Sequence, residues 1–504
     1  MVNQQNDMMR LLCSGTTIRF DAAQKASNIA DVELLNEEST KEQVVPSVNL
    51  RKRHKICVKG FDVPEPNGTF IELKQSHPKI LKSVLKKITD SGITDPTPIQ
   101  MQCIPLLMSK RCVLSCAPTG SGKTLSFILP VLSHMKKSEK GSFRALVLSP
   151  TRELAQQTYG EFKKFGGSRK FSYHFLTKAS ANSDILTKDC GNKDVLISTP
   201  KHLLKMLKED KIDLSKLQFC ILDEADRLFD VQFKEDITQI LEYIDLVKVT
   251  VGLFSATLAN GIDEWCFSNL DNFVQVYIGA VNGANSSIKQ SLKFVGTEES
   301  KIYTLRMVIQ KGFQPPMLVF TQTKDRAKQV YEELKLVGSK IDVIHSDLAQ
   351  MKRGEAIENF RSGKTWILIC TDLMGRGIDF KNVNCVVNFD LPQTKIDYIH
   401  RIGRTGRAGR TGEAITFFTE LDKERLPSII NVLKNSGCEL PDWLKNIKGI
   451  ARRDYKKATM KPVKRNDIST IPKYDLEKAK KRKAIIADSK AKKKAKSESD
   501  QKGS

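Results

Sequence analysis

The sequence predicts an α/β protein of two tandem domains, each a parallel sheet flanked by helices, with a flexible N-terminal extension and a basic C-terminal tail. Three observations lead there. Short β-branched runs alternate with longer amphipathic segments from about residue 70 to 430, the pattern of buried parallel strands joined by helices. The alternation breaks once, at the polar stretch GAVNGANSSIKQ (279–290), and then resumes. At 504 residues the chain also exceeds the ~250 residues beyond which one core usually divides.

The boundaries follow from these shifts: an extension over 1–68, a first domain over 69–280, a linker over 281–290, a second domain over 291–440 and a tail over 441–504. The extension is polar and patternless apart from a basic cluster, RKRHK (51–55), and a turn-prone VPEPNG (63–68). In the first domain the strand candidates are RCVLSCA (111–117), RALVLSP (144–150), DVLISTP (194–200), FCILDEA (219–225) and TVGLFSAT (250–257). The second array is PMLVFTQT (316–323), KIDVIHS (340–346), WILICTD (366–372), VNCVVNFD (383–390) and EAITFFTE (413–420). Each first-domain run ends in small or polar residues at its carboxyl end, where open α/β sheets hold their ligands.

An apolar content of 40% is enough for ordinary cores. No apolar run approaches the ~18 residues of a membrane span, the longest being LSFILPVL (125–132), and MVNQQNDMMRLLC lacks the apolar centre of a signal peptide. A soluble intracellular protein is expected, with no membrane partner. The eleven cysteines show no paired spacing, and Cys112 with Cys116 has no second pair to complete a zinc site, so they read as reduced thiols. A net charge of +24 suits a polyanion, nucleic acid or membrane surface alike. Much of the excess lies in 475–496, which holds ten Lys or Arg against three acids. Its clusters KAKKRK (478–483) and KAKKKAK (490–496) suit nuclear import or unspecific attachment to RNA.

The chemistry begins at APTGSGKT (117–124), which follows a strand candidate and precedes a helical segment. Small residues at Gly120, Ser121 and Gly122 let backbone N–H groups face an anion, and the helix start adds its dipole. Lys123 is placed to reach β/γ-phosphates and Thr124 to ligate Mg²⁺. The stretch CILDEADRLFD (220–230) then runs three apolar residues into Asp223 and Glu224, with Asp226 two positions on. On a neighbouring strand these acids divide two tasks: Asp223 holds the Mg²⁺ and Glu224 orients or deprotonates the attacking water. In HRIGRTGR, Arg404 and Arg407 are three apart, one turn of a helix, so both guanidinium groups can enter one cleft.

DEAD (223–226), with APTGSGKT, PTRELA (150–155), SAT (255–257), TDLMGRGIDF (371–380) and HRIGRTGRAG (400–409), resembles the DEAD-box family of ATP-dependent RNA helicases over residues 70–430. The run from HSDLAQ (345–350) through FRSGKTWILICTDLMGRGIDF resembles the nucleolar subgroup that acts on small-subunit ribosomal precursors. The resemblance implies two RecA-like domains, ATP with Mg²⁺, and a monomer that binds RNA, with pre-rRNA and pre-ribosomal proteins as partners in the nucleus and nucleolus. It places ATP on Gln100 and on Ala117, Pro118 and Thr119 with the rest of their loop, and a ribose contact on Asp379. It makes Arg404 and Arg407 arginine fingers, has His400 bridge to the acids, and has Ser255 and Thr257 link nucleotide to RNA. RNA contacts fall on Pro150, Thr151, Arg152, Thr199, Pro200, Thr371 and Arg376, a set that reads backbone and 2′-OH rather than sequence. The chain departs from the family at Ile93, where an aromatic is common, at His202, where Arg is preferred, and at LTKAS (176–180), which replaces a Gly pair. Phe70, the isolated upstream aromatic, is the candidate to stack on adenine. The same motifs would serve an ATP-switched RNA clamp or assembly scaffold.

Overall fold

The computed structural model describes residues 17–20, 47–135, 142–167, 171–176, 194–258, 261–279, 287–335, 340–372, 380, 383–407, 410–438, 463–465, 468 and 481–482. The two sheets predicted from the alternating pattern are both present, and all ten strand candidates are strands. In the first, the order from edge to edge is Ile56–Lys59, Val274–Ile278, Val113–Cys116, Thr250–Ser255, Phe219–Asp223, Ala145–Leu148, Val195–Ser198 and Tyr173–Phe175, parallel except for the first strand. In the second it is Thr17–Phe20, Ile288–Phe294, Gly412–Phe418, Cys385–Asn388, Met317–Thr321, Ile367–Thr371 and Ile341–Ile344, again antiparallel only at the first. Buried parallel strands need apolar residues on both faces. In the first sheet, alternate residues serve opposite clusters: Val113 and Ile221 pack on one side, Leu114 and Leu222 on the other. No helix among the described residues is long and apolar enough to cross a membrane.

The boundaries differ from the sequence-based expectation in three places. Parts of the 1–68 extension, expected to be flexible, belong to the two domains: Thr17–Phe20 pairs antiparallel with Ile288–Phe294, Ser47–Arg53 is a helix and Ile56–Lys59 pairs antiparallel with Val274–Ile278. Arg51, from the RKRHK cluster, bonds Gln102 Oε1 at 3.1 Å and the Pro64 carbonyl at 3.0 Å, so that part of the charge is structural. The expected linker overlaps a strand, because Ile288–Gln290 already pair with Gly412–Ala414. The 441–504 segment, set apart from the second domain as a basic tail, returns to that domain at Val463–Arg465 and Ile468, with Ile468 fully buried. The basic clusters at 478–483 and 490–496 lie outside the described residues except for 481–482. The acids of Phe219–Asp223 are also one strand further from the phosphate loop than expected, since Thr250–Ser255 lies between that strand and Val113–Cys116.

One buried ion pair fixes the far side of the first sheet. Arg144, 2% exposed, bonds the carboxylate of fully buried Asp194 and gives the Met135 carbonyl a bond of 3.1 Å, while Asp194 Oδ2 accepts the Ser172 N–H at 2.8 Å. Deleting one member of such a pair leaves the other charged and unsolvated. Asp194→Ala is therefore expected to lower the free energy of unfolding by ~3–5 kcal/mol, and replacing both members by apolar residues to recover most of it, as read by denaturant titration.

Candidate active site

The phosphate loop bridges the strand Val113–Cys116 and the helix Lys123–Met135, so its N–H groups stand at a helix start. Gly120 and Gly122 have φ of +76° and +89°, conformations that L side chains rarely adopt, and a Cβ on either would also meet a neighbour: Arg407 at Gly120, Gln100 at Gly122. Lys123 Nζ rests on the carbonyls of Ala117 at 2.7 Å and Pro118 at 3.0 Å. Burial pushes its ammonium pKa down, against the pull of Asp223. The loop opens into a cavity of about 460 Å³ lined by Lys123, Thr124, Asp223, Glu224, Arg404 and Arg407 among others.

Asp223 ends its strand and Glu224 turns the chain with a left-handed φ of 52° into the short helix Ala225–Leu228. Both carboxylates are buried, at 4% and 8% exposure. Burial, and then the charge of Glu224, push Asp223 up to about 7, and Glu224 Oε2 has no hydrogen-bond partner. Two crowded carboxylates with an unpaired oxygen fit a hydrated divalent cation, with the Thr124 hydroxyl also on the cavity wall.

The second domain completes this site. Thr119 Oγ1 donates to the Gly403 carbonyl at 2.8 Å, and Arg404 Nη2 lies 3.9 Å from Glu224 Oε1. The helix Lys395–Ile402 stops at Gly403, so Arg404 and Arg407 are not on a continuing helical turn as their spacing suggested. Each instead donates its Nε to a carbonyl four residues back, Arg404 to His400 at 3.1 Å and Arg407 to Gly403 at 2.9 Å. This caps the helix end and holds both guanidinium groups at the cavity.

Asp226, to which the sequence assigned no role, is the junction. It accepts the Thr257 N–H at 3.2 Å, the Thr257 hydroxyl, and His400 Nε2 at 2.8 Å from the other domain. Ser255 Oγ in turn donates to the Thr257 carbonyl at 2.6 Å. Burial alone would raise the Asp226 pKa, but the His400 contact and the Thr257 and Ser255 hydroxyls outweigh it and hold the carboxyl well below the usual range. The expected bridge from His400 to the acids thus falls on Asp226.

Gln100, expected at the adenine edge, spends its amide on the Thr97 N–H and the Gly122 carbonyl, both at 3.0 Å. It lines the cavity beside Ile93, and a base contact there would exchange one of those bonds. Phe70 is 6% exposed within the hydrophobic core of the first domain and does not line the cavity, so it is not placed to stack on a base. Arg376 and Asp379 lie outside the described residues.

The five RNA contacts expected in the first domain gather at the carboxyl end of its sheet. Leu148 and Ser198 are in register, which sets Pro150, Thr151 and Arg152 beside Thr199 and Pro200. Thr151 caps the helix Arg152–Gly166 by accepting the Leu154 N–H at 3.3 Å, and Thr199 meets His202 Nδ1 at 3.1 Å at the start of Pro200–Lys208. Two adjacent helix starts favour phosphate. Thr371 ends the strand Ile367–Thr371 of the other domain. Arg353 ties the two domains near this edge through a 2.7 Å bond to Glu153, a pair that sequence reading did not single out.

A phosphate loop, paired acids and arginines delivered by a second domain define a nucleotide-hydrolysing enzyme whose site exists only when two domains meet. Residues 97–265 match the family model for DEAD/DEAH box helicases and residues 300–409 that for the helicase conserved C-terminal domain. The chain is 44% identical over 449 residues to the probable ATP-dependent RNA helicase DDX52 of Bos taurus, covering 88% of this chain and 75% of that one. It is 40% identical over 461 residues to the ATP-dependent RNA helicase ROK1 of Scheffersomyces stipitis, covering 89% and 82%. Among solved structures, S. cerevisiae Dbp5 bound to RNA and ADP BeF3 superposes with a TM-score of 0.64 at 28% identity, covering 78% of this chain and all of that one. Mss116p bound to ssRNA and AMP-PNP gives 0.65 at 26% identity, covering 78% and 83%. The chain belongs to the DEAD-box family of ATP-dependent RNA helicases: it is an RNA-dependent ATPase that binds ATP and RNA.

The close approach of Thr119 to Gly403 yields a test of closure. A Cβ on Gly403 would fall well inside contact distance of Thr119 Oγ1 and 3.0 Å from the Ile399 carbonyl. Overpacking of this kind costs ~1–3 kcal/mol. Gly403→Ala is expected to reduce RNA-stimulated turnover by roughly tenfold to a hundredfold with little change in melting temperature, and Thr119→Ala in the same chain to restore part of it.

Proposed function

We propose that this helicase acts on ribosomal RNA precursors in the nucleolus, where ATP and single-stranded RNA bind across the cleft, close it, and separate short duplexes. The resemblance of residues 345–380 to the nucleolar subgroup supports the substrate, and the net charge of +24 supports a polyanionic partner. The observation that carries the mechanism is the pair of cross-domain bonds at the nucleotide, Thr119 to Gly403 and His400 to Asp226. They join loop, acids and arginines only in the closed arrangement.

In this mechanism the loop N–H groups and Lys123 hold the β/γ-phosphates, and Glu224 orients the attacking water and takes its proton. Thr124 and Asp223 would hold Mg²⁺, which when bound supplies positive charge to the phosphate oxygens. Arg404 and Arg407 bring further positive charge to the γ-phosphate from the second domain. On the outer edge, the helix starts at Arg152 and Pro200, with Thr371 opposite, grip the RNA backbone without reading bases. Because His400 and Thr257 share Asp226, RNA bound across both domains favours the arrangement that hydrolyses ATP, and loss of phosphate releases it.

Glu224→Gln keeps the shape and loses the base. It is expected to bind ATP and RNA as wild type while hydrolysing ~10²–10⁴-fold more slowly in single-turnover assays; loss of ATP binding in a folded variant would make Glu224 structural. ATP hydrolysis by the wild type is expected to rise with single-stranded RNA and not with DNA of the same sequence. Release of a strand from a short RNA duplex separates a helicase from a clamp, and sedimentation of the tagged protein with small-subunit precursors tests the substrate.

A further inference from the structure

The turn that carries Arg404 and Arg407 is set by the helix before it, and Arg401 fixes that helix from below. Arg401 binds both carboxylate oxygens of Asp372, at 2.5 and 2.7 Å, and gives the Asp390 carbonyl a bond of 2.7 Å. The Asp390 carboxylate is fully buried and accepts Arg326 through Nε and Nη2, both at 2.8 Å, Lys301 at 3.1 Å and the Gln322 N–H at 3.0 Å. Glu298 bonds Arg326 at 2.7 Å and Lys301 at 3.0 Å.

Into this cluster the tail inserts Arg465, whose side chain is 2% exposed. It reaches Glu298 at 2.6 Å, Asp422 at 2.5 Å and Gln322 Oε1 at 2.8 Å, and Gln322 Nε2 returns a 3.0 Å bond to the Val463 carbonyl. Three carboxylates, Glu298, Asp390 and Asp422, thus face three cations, Lys301, Arg326 and Arg465. Without Arg465 one negative charge is left uncompensated in a site that excludes water, a strongly unfavourable state. Ile468 then enters the core cluster to which Ile302 and Phe389 belong. Gln322 itself follows the strand Met317–Thr321, whose last residue is in register with Thr371 on the RNA edge.

We propose that Val463–Arg465, with Ile468, are a clasp on the second domain and that Arg465 is a positioning residue for RNA-stimulated ATP hydrolysis. It acts in two directions. Through Gln322 it sets the loop at the RNA edge, and through Asp390 and Arg401 it sets the helix that delivers His400, Arg404 and Arg407; the second direction rests on the roles given to those residues above.

The test uses the full chain, ATP and a short single-stranded RNA, and measures kcat, KM for ATP and the RNA concentration giving half-maximal stimulation. Arg465→Ala is expected to lower RNA-stimulated kcat about tenfold and to raise the RNA half-saturation, with KM for ATP within about twofold of wild type. Adding Asp422→Asn, which restores the charge balance and keeps an acceptor at that position, is expected to recover most of the lost kcat. A chain ending after residue 470 should keep the wild-type kcat, and one ending after residue 460 should behave as Arg465→Ala. Unchanged kcat in Arg465→Ala, or a loss that Asp422→Asn does not reverse, would overturn the proposal. So would a lowered melting temperature accompanied by unchanged kcat per folded molecule. Arg404→Ala, measured alongside, isolates the arginine assignment: if it keeps its turnover that assignment fails, and the Arg465 proposal is then decided by the RNA half-saturation alone.

Discussion

Asp226 is a carboxylate at 2% exposure on which groups from both domains converge, the N–H and hydroxyl of Thr257 from one side and His400 Nε2 from the other. A charge removed from water is tolerable only when its partners are in place. Three of the donors that make it tolerable come from two bodies, so this carboxylate ties the geometry of the nucleotide site to the geometry between the domains. Its carboxyl is held well below the ordinary range, so the stabilisation it gives is complete above that range and is lost progressively as pH falls from it through the depressed value.

The rest of the nucleotide site depends on that junction through short connections. Thr257 follows the strand Thr250–Ser255, which lies between the strand of the phosphate loop and the strand of the acids. A displacement at Asp226 is therefore passed to the strands on both sides of Thr250–Ser255. His400 sits four residues before Arg404, and Arg404 Nε is bonded to the His400 carbonyl. The imidazole at the domain junction and a guanidinium at the cavity wall are thus four residues apart and joined by a hydrogen bond. Preorganised charge of this kind is effective because it need not rearrange during reaction.

A second buried ionic cluster plays the corresponding part within the second domain. Asp390 gathers Lys301, Arg326 and the Gln322 N–H with its carboxylate, and it receives Arg401 on its carbonyl. The carboxyl end of the strand Met317–Thr321 and the arginine turn are consequently built on the same few residues. That economy has a structural cost: among the described residues the third cation of the cluster, Arg465, comes from a part of the chain whose composition resembles a solvated tail.

The sequence alone was sufficient for whatever depends on near neighbours. A phosphate loop is a strand, a turn of small residues and a helix start, and APTGSGKT contains all three; the central strands are continuous apolar runs because both of their faces are covered. Edge strands such as Ile56–Lys59 and Tyr173–Phe175 were missed because they are only three or four residues long and partly exposed. Phe70 was visible as an aromatic, but whether it faces a base or a core is a question of packing, and the tertiary structure put it in the core. Arg404 and Arg407 were legible as a pair, while the end of their helix at Gly403 was not. Asp226 meets His400 across 174 positions, and Arg465 meets Glu298 across 167. Nothing local distinguishes these residues from solvated charges, because what gives them their partners is the folding of two sheets and the closing of one domain on the other.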